Sequence, residues 1–487
     1  MPAMKLLQKI CSSPTLMTWG SFATNSLSLV VVLPLILIKL NTEEIVVWYL
    51  FSTIIGLQIL VDLGFSPTFL RVIAYSMGGA SSTDLKDFRE VSQKKDFQNC
   101  QPNWNTVNKI CSTMGVIYDR LTIILISLLG VFGTLALLRP ISLMPNSQWG
   151  WASWAVILLA SAVTLKGNIY NSYLQGVNKI ALLRRWDIIT SLASIITSFL
   201  VLGMGGGLLG LVLSNQGWMI LKIWRDRYLA RTVYEAKFQT FAEKKLNQEI
   251  FAAVWPSAWR SGLGVFTAYG LIQLSSVLYA QIGSTGEVAS YLLSLRLLQA
   301  VRQFSNAPFY SKLPLLAKLR AEGNINQQIL LAKRAMTLGY WTYLIGFLIL
   351  GILSKPLLQL IGSNANFAEP RLWSLMGLSL FAERYGAMHI QLYSTTNHIV
   401  WHIVNGVSGV IYVIVSLSLL PKIGVYAFPI GLLAGYLGFY CWYSARYSYK
   451  AFGLKFWSFE KSVMLPPLFI LLCYTAYSLL NSLGLIT

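Results

Sequence analysis

Five residues at helical spacing, Arg296, Gln299, Arg302, Gln303 and Asn306, give the clearest chemical pattern in the sequence. At 100° per residue, Arg296, Gln299 and Arg302 fall within an arc of about 120°, and Gln303 and Asn306 extend that face. They occupy the middle of an apolar run at about 287–311. A charged group at the centre of a spanning helix costs roughly 2.5–3.5 kcal/mol on insertion scales. The face must therefore meet protein or water, not lipid. The preceding apolar run adds Ser257, Arg260, Ser261, Gly264 and Thr267 at intervals of three to four. No acid in either run stands near Arg260, Arg296 or Arg302. Such cations are very costly in a dry core, and a hydrated cavity that accepts anions removes most of that cost. The first apolar run carries Thr18, Ser21, Asn25 and Ser28 in the same rhythm without charge, a pattern that also suits helix packing.

Other polar groups inside apolar runs are Asp62, Asp119-Arg120, Lys166, Asn168, Glu383-Arg384 and His389. Sequence neighbours on a helix do not face one another. Asp119, Arg120, Glu383 and Arg384 are therefore expected to act across helices, as charge pairs or as coupling-ion groups. For Asp62 two readings stay open: a salt bridge to another helix, or a proton or sodium site. Lys166, Arg184, Arg185 and Lys222 stand nearer the inner ends of their runs and are expected to snorkel. His398 and His402 are four residues apart, but His389 is more than two turns away and no carboxylate completes a set, so no metal site is expected. Cys11, Cys100, Cys111, Cys441 and Cys473 form no close pair, which speaks against a disulfide framework or a zinc site. No Walker loop and no Gly-x-Ser-x-Gly elbow is found. No catalytic residue, no cofactor and no enzymatic activity are expected.

The elements that position these groups follow from composition. Of 487 residues, 55% are hydrophobic and only 11% charged, with a mean hydropathy of +0.58. Ordinary soluble domains carry about 25% charged residues, so the solvent for most of this surface is lipid. Thirteen apolar segments of spanning length lie at about 17–39, 44–70, 109–138, 149–176, 183–202, 206–224, 250–281, 287–311, 335–354, 372–393, 398–420, 425–445 and 463–482. The first is expected to be a retained helix, because no cleavage pattern precedes it. The longest connector, about 78–108, has room for a short surface helix.

The net charge of +20 has no motif for nucleic-acid readout. If the N-terminus is cytoplasmic, the inner connectors hold 24 Lys and Arg against 5 on the outside. The positive-inside rule thus orients the chain and explains most of the charge.

The chain repeats itself after about half its length. Trp19-Gly-Ser21 returns as Trp259-Arg-Ser261, Thr42-x-Glu44 as Thr285-x-Glu287, and Leu57-Gln58 with Pro67 and Arg71 as Leu298-Gln299 with Pro308 and Lys312. Asn178-Lys-Ile returns as Asn397-His-Ile. Six helices per repeat give both copies the same orientation, related by an axis along the membrane normal. The expected fold is all-α and polytopic: two six-helix bundles plus an extra C-terminal helix. The expected domains are 1–230, a cytoplasmic linker at 231–249, a second lobe at 250–450, and a linker with the extra helix at 451–487.

Thr42-Glu-Glu44 before Trp48, and the stretch Leu60-Val-Asp62-Leu-Gly64-Phe65 followed by Arg71, resemble the Wzx-type polysaccharide flippases. These belong to the multidrug/oligosaccharidyl-lipid/polysaccharide exporter superfamily. The Tyr173–Lys179 end of the fourth run is similar to that family too. The resemblance spans nearly the whole chain, and the thirteenth segment departs from the commoner counts of twelve or fourteen. It implies a flippase of the inner, cytoplasmic membrane whose substrate is a polyprenyl-pyrophosphate-linked oligosaccharide, such as an O-antigen or exopolysaccharide repeat unit. Arg260, Arg296 and Arg302 would then meet pyrophosphate or acidic sugars, and Gln299, Gln303, Asn306, Asn25 and Ser21 would meet sugar hydroxyls. Asp62 or Glu383 would couple transport to a proton or sodium ion, and a monomer suffices. A drug exporter of the same superfamily and a membrane glycosyltransferase or polymerase are the rival readings.

Overall fold

The computed structural model describes residues 12–56, 58–86, 101–234, 246–282, 285–360 and 367–482. Every regular element among them is helical. These residues form two units that divide between Trp259 and Arg260. In the connector at 78–108 the described residues include a short 3-10 turn at Thr83–Lys86, and 87–100, where the expected surface helix would have most room, lie outside them. Most of the linker at 231–249, with three of its basic residues, lies outside them as well.

In the first lobe, α1 (Pro14–Lys39) begins where the Ser13 hydroxyl accepts the Leu16 N–H at 3.4 Å, and Pro14 stands at the first position, where no N–H is lost. The second apolar segment is a broken helix: α2 (Thr42–Gly56), α3 (Gln58–Val61) and α4 (Phe65–Met77). The break is Asp62-Leu63-Gly64. Leu63 at φ 48° and Gly64 at φ 73° are both left-handed, which ends a helix. Asp62 starts the next one, because its carbonyl accepts the Phe65 N–H at 2.9 Å and its carboxylate the Ser66 N–H at 3.0 Å. The third segment is α5 (Trp104–Leu128), a π turn at Leu129–Gly133 and α6 (Thr134–Ser142). Then come α7 (Ser147–Gly176), α8 (Ile180–Gly203) and α9 (Gly207–Thr232). The centre of the lobe is α7, which packs against α4, α5 and α9, while α1 runs along α8.

The second lobe takes the C-terminal part of α10 (Gln248–Ile282), then α11 (Thr285–Tyr310), the short α12 (Leu313–Ala321), α13 (Ile325–Leu360), α14 (Pro370–Ser394) and α15 (Trp401–Ile423). Its sixth segment is α16 (Ala427–Gly435), a π turn at Tyr436–Tyr440 and α17 (Cys441–Phe452). Last come α18 (Phe456–Val463) and α19 (Leu465–Ser482), with a bend of 61° between them. Each lobe thus has six main segments, and α18–α19 form the extra C-terminal one.

Seven helical runs among the described residues are long and apolar enough to cross a membrane, or eight if α18–α19 is one span. The others are hidden from a hydropathy test for a physical reason. In α14, 20 of 25 residues are buried by protein, so it needs no lipid-facing surface. In α11, Arg296 and Arg302 lower the hydropathy. Helices in lipid gain little from the hydrophobic effect and associate by packing and polar contacts. Around α14 the packing is aromatic: Trp373 stacks on Phe347 at 5.0 Å between centroids, and Phe381 meets Tyr340 and Tyr343. Each such pair contributes about 0.5–1.5 kcal/mol.

The repeat has a backbone signature. Asn178 follows α7 and Asn397 follows α14, the fourth segments of their lobes, and both adopt φ 62°. Asparagine tolerates this left-handed region better than other residues with a Cβ.

Candidate functional site

In the second lobe, Glu383 and Arg384 project from the middle of α14, both buried. Arg384 wraps back onto its neighbour: Nε lies 3.2 Å from one Glu383 oxygen and Nη2 donates to the other at 3.4 Å. This differs from the expectation that neighbours on a helix cannot pair. That rule describes Cβ positions, and a long guanidinium side chain escapes it. The second Arg384 Nη donates to Asn306 Oδ1 of α11 at 2.9 Å. From α11, Arg302 places Nη1 at 3.7 Å from Glu383 Oε1. Arg302 therefore has an acid after all, supplied by a third helix.

Arg302, Glu383 and Arg384 line a cavity of about 240 Å³ with Gly264 of α10, Trp401 and Asn405 of α15, and Tyr436 and Tyr440. The π turn carries both tyrosines to the wall at its two ends. Bulges of this kind often mark functional positions. Gly386 packs its bare Cα on the Tyr440 ring, and a Cβ there would overlap it. Asn405 donates to the Gly264 carbonyl at 3.1 Å, which fixes α10 against α15. The wall holds two guanidinium groups and one carboxylate, and the longer Arg302 contact is the easier one to exchange for another anion.

The first lobe has a larger cavity of about 450 Å³ and another character. Thr24, Asn25 and Ser28 of α1, Thr190, Ser191, Ser194 and Ile195 of α8, and Asn215, Trp218, Met219 and Lys222 of α9 line it. Lys222 carries the wall's one charge, and its Nζ sits 3.2 Å from Asp187.

Among solved structures, the chain is similar to a variant of the Vibrio cholerae MATE transporter VcmN, with 14% identity, a TM-score of 0.67, and coverage of 93% of this chain and 98% of that one. An outward-facing multidrug resistance MATE family transporter of the MOP superfamily matches at 12% identity and a TM-score of 0.70, over 90% and 94%. A MATE structure in the bent conformation matches at 11% identity and 0.68, over 97% of each chain. The fold is that of the MATE transporters. No protein-family model matches the sequence, and no curated protein sequence matches it.

The MATE fold, two six-helix bundles, distributes the residues singled out in the sequence unevenly. Arg302, Glu383 and Arg384 meet at the second-lobe cavity, and Asn306 joins them through Arg384. Arg296 and Gln303 are exposed on α11 and Gln299 is half-buried, and none of the three is in that wall. Arg260 is half-buried and is not in that wall either. Asn25 lines the first-lobe cavity, whereas Ser21 is buried in the packing of α1. Asp119 reaches Lys166 across α5 and α7 at 2.7 Å, so Lys166 forms an inter-helix pair instead of snorkelling freely. Arg120 is exposed.

Asp62 is buried at the break before α4. Its carboxylate accepts from the Ser66 hydroxyl at 2.7 Å and from the Tyr118 hydroxyl at 2.8 Å, besides the Ser66 N–H. It is a helix cap held by neutral donors.

Two polar networks escaped the sequence reading. Asp187 on α8 gathers Arg184 at 3.3 Å, Lys222 at 3.2 Å and Arg225 at 2.9 Å, and Arg225 also meets Asp226. The spacing of Arg184 and Asp187 is the available sequence signal, but Arg184 and Lys222 near the inner ends of their runs suit snorkelling as well. In the second lobe, His389 Nε2 contacts Glu460 Oε1 at 3.0 Å and the Tyr449 hydroxyl donates to the same oxygen at 2.8 Å. His398 precedes α15 and meets the Tyr393 hydroxyl at 2.8 Å, so it does not share a helix face with His402 as its spacing suggested.

Proposed function

We propose that this protein is a flippase that moves a polyprenyl-pyrophosphate-linked oligosaccharide across the cytoplasmic membrane by alternating access, with its N-terminus in the cytoplasm. The observation that supports it most is the second-lobe cavity, where Arg302 and Arg384 share the single carboxylate of Glu383. A pyrophosphate offers several oxygens to guanidinium groups in the two-pronged geometry that arginine favours. It would take Arg302 from Glu383, whose 3.7 Å contact is long, and leave Arg384 to keep the carboxylate neutralised. Arg260 and Arg296 extend this positive character in the same lobe. Gln299, Gln303, Asn306 and Asn25 supply hydrogen bonds for sugars, and Ser21, buried in the packing of α1, does not. Glu383 and Asp62 are the candidates for proton or sodium coupling, and one chain suffices.

The multidrug transporter of similar fold brings a second reading, export of small drugs. A cationic drug would need an acid without its own cations. Glu383 already has two, so the second-lobe site favours an anion.

The test replaces Arg302 by Ala in cells that make a surface polysaccharide. At normal membrane levels of the protein, surface polysaccharide is expected to fall at least tenfold while resistance to cationic toxins stays unchanged. Unchanged polysaccharide would overturn the proposal.

A further inference from the structure

The first-lobe cavity has no part in holding the pyrophosphate, yet its wall has a consistent chemistry. We infer that it is a binding site for an uncharged, hydroxyl-rich saccharide segment, and this rests on the flippase reading in that such a segment would belong to the carried glycan. The cavity's 450 Å³ falls within the range of about 300–1,000 Å³ typical of small-molecule sites. Eight of its eleven lining residues are Ser, Thr, Asn or Trp, which offer hydroxyls, amides and an indole. Lys222, the single cation, is already matched by Asp187.

The wall is held in place from behind. Trp218 Nε1 donates to Thr197 Oγ1 at 2.8 Å, which fixes the indole plane. Asn215 Oδ1 accepts from Ser198 at 3.1 Å and Ser194 at 3.3 Å, and Asn25 Oδ1 accepts from Ser191 at 3.4 Å. Both amides thus use their oxygen within the protein, and their N–H donors remain for a ligand's hydroxyl oxygens. A fixed aromatic plane beside amides and hydroxyls suits a sugar ring, which has a C–H face and an equatorial rim of hydroxyls. An apolar drug would leave the amides unpaired at a cost of about 1–3 kcal/mol each. A cationic drug would find no carboxylate in the wall.

The experiment introduces Ser194→Cys into the full chain, reconstitutes it in vesicles, and follows its labelling by a small maleimide. The probes are the polyprenyl-linked glycan pool extracted from the source cells and polyprenyl pyrophosphate without sugar. The glycan-bearing lipid is expected to slow labelling at least fivefold and the bare pyrophosphate lipid to leave it unchanged. Adding Asn215→Ala or Trp218→Ala should abolish the protection, with Trp218→Phe keeping part of it if the alanine variant does not fold. No protection by the glycan-bearing lipid, or equal protection by the bare lipid, overturns the inference. Flipping of both lipids is measured in the same vesicles. Loss of flipping with protection intact would reject the transport reading and keep the saccharide site, and flipping without protection would do the reverse.

Discussion

The two lobes share six main segments and differ in the chemistry of their cavities. In the second lobe the charges line the cavity: Arg302, Arg384 and Glu383 face it, with one hydrogen bond from Arg384 to Asn306. In the first lobe the charges stand mostly behind the cavity: Asp187 draws Arg184 and Arg225 onto itself, and the wall is left to amides, hydroxyls and an indole. The second segment shows the same divergence. It breaks at Asp62-Leu63-Gly64 in the first lobe but runs unbroken as α11 through Arg302 and Gln303 in the second. A fold of two six-helix bundles can thus carry an ionic site in one bundle and a neutral polar site in the other, because buried charge is tolerated where its partners are supplied.

That contrast can be broken most severely in the second lobe. Removing one partner of a buried ion pair costs about 3–5 kcal/mol, so Arg384→Ala should lower the thermal midpoint in detergent more than any other single change considered. Replacing the pair together, Glu383→Leu with Arg384→Met, should recover much of that midpoint without recovering flipping. If the double variant transports normally, the ionic wall has no role in transport. In the first lobe, Asp187→Asn strands Arg184 and Lys222, while Arg225 keeps Asp226, and should cost about 3 kcal/mol by the same measurement. It should, however, leave the substrate's pyrophosphate requirement unchanged, which competition by polyprenyl phosphate would report.

Smaller effects sharpen the comparison further. Asp62→Ala removes the cap of α4 and should cost about 1–2 kcal/mol, while Asp62→Asn, which can still accept, should recover part of it. The equivalent change Gln303→Ala, on an unbroken and exposed stretch, should be nearly neutral. The smallest effect concerns what the lobes still share. Asn178→Gly and Asn397→Gly should each change stability by a few tenths of a kcal/mol and by similar amounts, because both positions have φ 62°. Unequal effects would mean that the two turns only look alike.

Much of this architecture was legible in the chain. Apolar runs marked the segments, since lipid demands about 20 apolar residues per span, but several helices run well past them, as α13 (Ile325–Leu360) does beyond 335–354. The recurrence of Asn178-Lys-Ile as Asn397-His-Ile pointed to a turn whose asparagine has φ 62° in both lobes. Helix α14 was found by its length, although protein buries 20 of its 25 residues. The site was less legible because partners come from different helices. Nothing in the spacing of α11 reveals that Glu383, some eighty residues later, reaches Arg302. The break at Asp62 was missed because Leu63 in a left-handed conformation has no sequence signal beyond the glycine that follows it. The Asp187 cluster was overlooked because its basic members suited the positive-inside rule equally well.

The central claim is that Arg302 gives up Glu383 to a pyrophosphate. The most direct measurement is flipping of a fluorescent polyprenyl-pyrophosphate glycan in proteoliposomes, comparing the wild type with Arg302→Ala, Arg302→Lys and Glu383→Gln. Arg302→Ala should slow flipping at least tenfold, with Arg302→Lys in between because a lysine cannot make the two-pronged contact. Glu383→Gln, which frees Arg302, should bind the bare pyrophosphate lipid more tightly. Wild-type flipping that Arg302→Ala leaves unchanged, with no change of pyrophosphate affinity in Glu383→Gln, would contradict the account.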